Sequence, residues 1–485
     1  MLFNSITFAL FLPTVFIFYW FVFQRNIKLQ NLFIVIVSYF FYGWWDWRFL
    51  FLLLISSATD YIIGIKIGNL NKKETSSDTT RKLWLMVSIV TNIGILGFFK
   101  YFNFFIDSFV SFLALFGISQ SYTTLSIILP VGISFYTFQT LSYTIDVYRR
   151  KIESSNDILA FFAFVGFFPL LVAGPIERAA NLLPQFRIKR KFDYQKAVDG
   201  MRQILWGLFK KIVIADNCAT YVNYTFENYQ ILSGSVLMLG AIFFAFQIYG
   251  DFSGYSDIAI GTARLFGIDA MRNFNFPYFS RDIAEFWRRW HISLTTWFRD
   301  YVYIPLGGSR VSKSKIIRNT FIIFLLSGFW HGANWTFITW GAFHALLFLP
   351  LILLNKNRRN TNTAAEGKFL PNIKELLQIG ITFLLVTLSW ILFRAESTEQ
   401  AINYFVQLFD KSLFVLPVIK LKLLLHNLIF ISVMLIVEWL QRQKQHALDL
   451  SGINSGFVRY SVYLLIMVII FLFGGEEITF IYFQF

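Results

Sequence analysis

Residues Ser327–Phe348 read SGFWHGANWTFITWGAFHALLF, and the fold turns on what this stretch is. Its apolar letters are dense enough for part of a bilayer span. Yet it holds two histidines, one asparagine, three tryptophans and three glycines. A segment built only to sit in lipid is better served by Leu and Val, because polar groups in hydrocarbon are costly. The stretch therefore reads as membrane-embedded and as a place for chemistry. His331, Asn334 and His344 are the groups to explain.

The rest of the chain supports the membrane reading. Of 485 residues, 56% are hydrophobic, and the mean hydropathy is +0.56. That composition cannot supply the polar shell a soluble protein of this size needs. Apolar runs include Ile6–Phe23, Phe33–Leu53, Leu83–Phe99, Val236–Tyr249, Phe321–Trp335 with its sequel to Leu354, Leu376–Phe393, Leu423–Leu440 and Tyr460–Phe473. They predict an all-α polytopic protein with roughly ten to twelve transmembrane helices, plus segments that enter without crossing. Asp46 and Arg48 interrupt Phe33–Leu53, so that span is expected to be displaced. The first apolar run lacks a basic start and a small-residue cleavage site, and reads as a retained span. No soluble domain or short repeat stands out, so residues 1–485 read as a single integral-membrane domain. The single cysteine, Cys218, rules out an internal disulfide.

The formal net charge is +15. Arg178–Lys211 holds nine basic and two acidic residues, and Arg281–Arg318 eight and three. Anionic headgroups and the positive-inside rule account for such a surplus. A cytosolic mouth that attracts an anionic donor accounts for it too. No nucleic-acid partner is inferred. The same rule puts the loops Asn71–Lys82, Asn355–Lys374 and Gln441–Ser455 in the cytoplasm, the amphipathic Ala395–Lys420 outside, and both termini outside.

The middle of the chain breaks the simple pattern. In RDIAEFWRRWHISLTTWFRDYVYIPLGGSR (Arg281–Arg310), charges alternate with aromatic residues. Glu285 and Arg289 stand four apart and can pair on one helix face. Pro305, Gly307 and Gly308 then stop any helix. Short helices lining a cavity are expected, since irregular backbone at membrane depth needs cover from protein or water.

Three of the five histidines, His291, His331 and His344, fall within 54 residues. Arg318 marks the polar edge ahead of His331, and thirteen residues at about 1.5 Å each put the ring roughly 20 Å further in. A neutral imidazole there can take a proton; equally, it can be packing glue between helices. Asn334 and Trp335, three and four residues on, would share its helical face and orient the ring or a substrate. His344 lies about 220° round the same helix and reads as structural. His426, at a span edge, and His446, in a basic loop, read as structural or solvated. No metal-binding spacing occurs. Asp251 and Asp257 would bond backbone or neutralise arginines. Arg288, Arg289 and Arg299 contact headgroups or pair with Glu285 and Asp300; alternatively they clamp an anionic donor.

At this point the chain resembles the membrane-bound O-acyltransferases, and within them the membrane subunit of bacterial alginate and peptidoglycan O-acetylation. The resemblance is carried by PVGISFYTFQTLSYTIDVYR (Pro130–Arg149), FFPLLVAGPIER (Phe167–Arg178), GLFKKIVIADN (Gly207–Asn217), QIYGDFSGYSDIAIG (Gln247–Gly261), FWRRWHISLTTWFRDYVYIPLGGSR (Phe286–Arg310) and SGFWHGANWTFITWGAFH (Ser327–His344). It implies helices around a funnel, His331 as the catalytic histidine and His291 as a second functional one. It also implies a donor such as acetyl-CoA or another acyl thioester, with no bound cofactor. The acceptor would be an exported polysaccharide, reached through an extracytoplasmic partner such as an SGNH-type acetyltransferase. Residues 480–485, FIYFQF, are similar to a tail signature of this branch in which the tyrosine, here Tyr482, relays the acyl group. Gly474 and Gly475 ahead of the tail read as a flexible joint. D-alanyl transfer to an envelope polymer, a flippase without ester chemistry and a non-catalytic scaffold are the rival readings.

Overall fold

A computed structural model gives the structure of the chain and describes residues 1–73, 77–118, 124–172, 174–417, 421–476 and 478–481. Every regular element among the described residues is helical. The solvent dictates this: hydrocarbon offers no partner for backbone N–H and C=O, so a spanning segment must satisfy them internally. Six helices are long and apolar enough to cross a bilayer: Trp47–Asn71, Asp78–Ala114, Gly234–Leu265, Trp335–Leu353, Ile373–Arg394 and Gly456–Phe473. Three shorter apolar helices are Ile6–Val22, Ile27–Gly43 and Leu424–Leu440. The chain is a multi-pass membrane protein. The expected span Phe33–Leu53 is displaced: one helix stops at Gly43, Asp46 caps a short turn at Arg48, and a new helix starts at Leu50. Within the amphipathic stretch that begins at Ala395, residues Thr398–Leu408 form a helix that buries Ala401, Tyr404 and Leu408 along one face.

The chain forms two compact units, Met1–Ala197 with Ala263–Ala270, and Val198–Thr262 with Met271–Phe485. In the first, a buried carboxylate ties three helices together. Asp60 accepts from Ser88 Oγ at 2.5 Å, Asn92 Nδ2 at 2.7 Å and Thr144 Oγ1 at 3.0 Å. Neutral donors thus surround a charge-bearing group that would otherwise be costly to bury.

In the second unit, the stretch from Ser327 is not one span. The helix Lys313–His331 ends at Gly332, whose backbone is extended, and Asn334 caps the next helix, Trp335–Leu353. The two arms form a tight antiparallel hairpin. A Cβ on Gly328 would lie 2.1 Å from the Phe337 carbonyl oxygen, and one on Gly341 2.3 Å from that of Phe324. Small residues therefore let the two backbones touch, as packing in lipid favours. The expected short helices are present: Ile283–Arg289 and Ile292–Phe298, joined through Trp290 and His291. Glu285 pairs with Arg289 at 2.9 Å, as its spacing requires, and with Arg281 at 3.0 Å. A second close crossing sets Gly254 against Gly207: a Cβ on Gly254 would lie 2.8 Å from the Gly207 oxygen and 3.1 Å from Lys211 N. This crossing carries the π-helical turn Phe209–Ala215 against the helix Gly234–Leu265.

Candidate active site: a buried histidine pair

The hairpin turn places His331 at the very end of its helix, 3% exposed. Its ring lies 5.0 Å from that of Trp330, 5.3 Å from Trp340 on the opposite arm and 5.3 Å from Phe393. The helix is unbroken from Lys313, so the rise used to place His331 far from Arg318 holds.

The other face of this enclosure is His291. It is fully buried and sits between the two short helices with φ of +43°, a left-handed conformation unusual for a residue with a Cβ. The ring centroids of His291 and His331 are 6.2 Å apart. Asn273 sets the ring of His291. Its amide nitrogen donates to Ser256 Oγ at 3.1 Å, and its oxygen faces the Ser293 backbone N–H at 3.4 Å, a group that can only donate, so the oxygen is the acceptor. Ser293 Oγ donates to that oxygen at 2.9 Å, and His291 Nδ1 lies 3.1 Å from it. Nδ1 therefore carries the proton toward Asn273, leaving the Nε2 lone pair as the basic end of the ring. Phe252 packs its ring 4.6 Å from His291.

The remaining candidates fall elsewhere. Asn334 does not share a helical face with His331, because Gly332 breaks the helix between them. Its oxygen accepts from Thr336 N, and its amide donates to the Glu396 carbonyl at 2.8 Å. It is a helix cap that pins the turn. His344 is fully buried on the second arm, where Nδ1 accepts from the Trp287 indole at 3.3 Å. His446 pairs with Asp199 at 2.9 Å, and His426 packs against Phe430. Arg289 is committed to Glu285 and to the carbonyls of Asn275 and Asn362. Arg299 pairs with Asp300 at 2.6 Å, and Arg288 donates to the carbonyls of Asn357 and Asn360. Tyr482 lies outside the described residues.

Asp251 and Asp257 do neutralise cations, but these are lysines. Lys210 meets Asp257 at 2.6 Å, and Lys211 meets Asp251 at 2.8 Å and Asp216 at 2.7 Å. Both lysines are buried, so neither adds to a basic surface mouth. The charge surplus of Arg178–Lys211 overstated that surface. A signal was present: two lysines in the apolar run LFKKIVIA are intramembrane ionisable groups. Asn273 carried no such signal, because it lies in an irregular segment where periodicity says nothing. Among the described residues, no group of three or more His, Cys, Asp or Glu stands ready to hold a metal ion.

Two histidine rings thus share one aromatic enclosure in a chain rich in membrane-spanning helices. Comparison with known proteins places the chain in a family. The model of the membrane-bound O-acyltransferase family matches residues 148–391. The probable alginate O-acetylase AlgI of Pseudomonas aeruginosa is 40% identical over 411 residues, covering 84% of this chain and 75% of its own length. The peptidoglycan O-acetyltransferase of Helicobacter pylori is 32% identical, covering 100% of this chain and 98% of its own. The teichoic acid D-alanyltransferase of Streptococcus thermophilus is 30% identical over 60% of this chain. The chain belongs to the membrane-bound O-acyltransferase family. It is an acyltransferase of the membrane.

Proposed function

We propose that this protein transfers an acetyl group from a cytosolic acyl thioester, such as acetyl-CoA, to a hydroxyl on the outer side of the bacterial cytoplasmic membrane, for O-acetylation of an exported polysaccharide. The observation that carries this reading is the buried pair His291–His331, 6.2 Å between ring centroids. His331 acts as general base on the attacking hydroxyl. Oxygen attacks the thioester carbonyl, the carbon–sulfur bond breaks, and the proton taken by His331 passes to the leaving thiolate. His291, held by Asn273, orients the reacting groups or stabilises the oxyanion. The exposed Arg288 and Arg299 favour the anionic donor at the cytosolic mouth, whereas Arg289, buried against Glu285, suits holding the short helices. Tyr482 takes the acyl group first, and an extracytoplasmic SGNH-type acetyltransferase carries it to the polymer.

Acetyl is preferred over D-alanyl because the relatives named for acetylation match more of this chain and at higher identity. The test is covalent. Membranes holding the protein, its partner and the polymer are given acetyl-CoA labelled in the acetyl group. Base-labile label should appear on the polymer. A flippase would deliver none.

A further inference from the structure

A set of buried charges that the histidine chemistry does not use holds the last described residues of the chain. The side chains of Lys211, Asp216 and Asp251 are 1%, 3% and 4% exposed. An ammonium has three protons to give. Lys211 faces Asp216 at 2.7 Å and Asp251 at 2.8 Å, and donates to the Ile478 carbonyl at 2.8 Å. The second oxygen of Asp251 accepts from the Ile481 backbone N–H at 2.6 Å. Carboxyl groups this deeply buried need several donors to be tolerated, and the Ile481 N–H is one that Asp251 receives.

The approach to this cluster is equally specific. Gly475 N donates to the Ile212 carbonyl at 3.1 Å, and Asn217 Nδ2 donates to the Phe473 carbonyl at 2.9 Å. A Cβ on Gly475 would lie 2.9 Å from Asn217 N. The glycine serves a close backbone approach, not the flexible joint expected from sequence. Beyond it, Phe480 is fully buried, 4.3 Å from the Tyr255 ring and 6.0 Å from Phe252, the residue that packs on His291.

We propose that Lys211, Asp216 and Asp251 form a main-chain binding site for the chain's own carboxyl-terminal segment, with Lys211 and Asp251 as positioning residues that fix Ile478 and Ile481 beside the wall of the histidine pair. The site reads an acceptor and a donor three residues apart, so it recognises this segment by backbone rather than by side chain. The positioning role rests on the acyl-carrier reading of Tyr482, the next residue in the sequence; the binding site does not.

Hydrogen exchange of the full chain, read by mass spectrometry on its carboxyl-terminal peptide, tests the site without reference to activity. The Ile481 amide should exchange about tenfold or more faster in Asp251→Ala and Lys211→Met than in the wild type. Unchanged exchange in Asp251→Ala overturns the binding site. Ile481→Pro removes the backbone N–H that Asp251 accepts from without altering any charged side chain, so it stays informative if the charge variants misfold. It should lower turnover roughly tenfold or more with the donor KM unchanged. Wild-type turnover in Ile481→Pro overturns the positioning role. Full activity in Tyr482→Phe overturns that role together with the carrier reading, while the binding site still stands or falls on exchange alone.

Discussion

His291 adopts a backbone conformation that costs an L-residue about 1 kcal/mol, and it does so while fully buried. Strain of this kind persists where surrounding contacts over-determine it, and it gathers at functional sites. Here the contacts are Asn273 and Ser293, which fix the ring's tautomer and aim. Asn273→Ala removes the acceptor for Nδ1–H and lets the ring take either tautomer. Acyl transfer should fall on the order of 10²-fold with donor KM little changed in steady-state kinetics on the purified protein, and the stranded partners should cost about 1–3 kcal/mol of stability. Transfer at the wild-type rate would mean that the tautomer of His291 does not matter. Both members of the pair stood out in the sequence as histidines in apolar, aromatic surroundings, but only the family resemblance set them apart from His344, which sits in the same kind of run. Asn273 did not stand out: its contact with His291 bridges two irregular segments, and no spacing rule reaches across them. Asn334 escaped because the three-residue spacing rule assumes an unbroken helix, and Gly332 breaks it.

Among the helices, the hairpin Lys313–Leu353 depends on two glycines. Gly341 lets the second arm approach the Phe324 carbonyl so closely that a Cβ would lie 2.3 Å from it. Backbone cannot swing aside as a long side chain can, so Gly341→Val must push the arms apart. That should cost about 1–3 kcal/mol or more and lower the melting temperature in detergent. It should also impair transfer, because Trp340 on that arm packs against His331. Gly380→Val, on the helix Ile373–Arg394 with no atom near its Cβ position, is the control and should be nearly silent. A stability loss equal in both variants would contradict the close crossing. Hydropathy found the membrane helices but merged the two arms of the hairpin into one continuing run. A tight turn inside an apolar stretch leaves the mean hydropathy high; only the glycines mark it.

For the whole molecule, charge and depth must agree. The basic loops around Arg310–Arg318 should face the cytosol by the positive-inside rule, even though Lys210, Lys211, Arg281 and Arg289 have been withdrawn into buried pairs. Ser312 is exposed at the start of the hairpin, and native Cys218 is fully buried. Ser312→Cys in a Cys218→Ser background should react with an impermeant maleimide only in inverted vesicles. Reaction only in intact cells would reverse the orientation. With the hairpin so placed, its turn, and His331 beside it, lies at the end away from the cytosol, as the proposed outward transfer requires. The proposed chemistry stands or falls on proton transfer by His331, and the decisive assay is acyl transfer by the purified full-length chain carrying His331→Ala. Ester formation should drop to background while protein yield and melting temperature stay near wild type. Turnover near the wild-type rate in that variant would contradict the role given to His331.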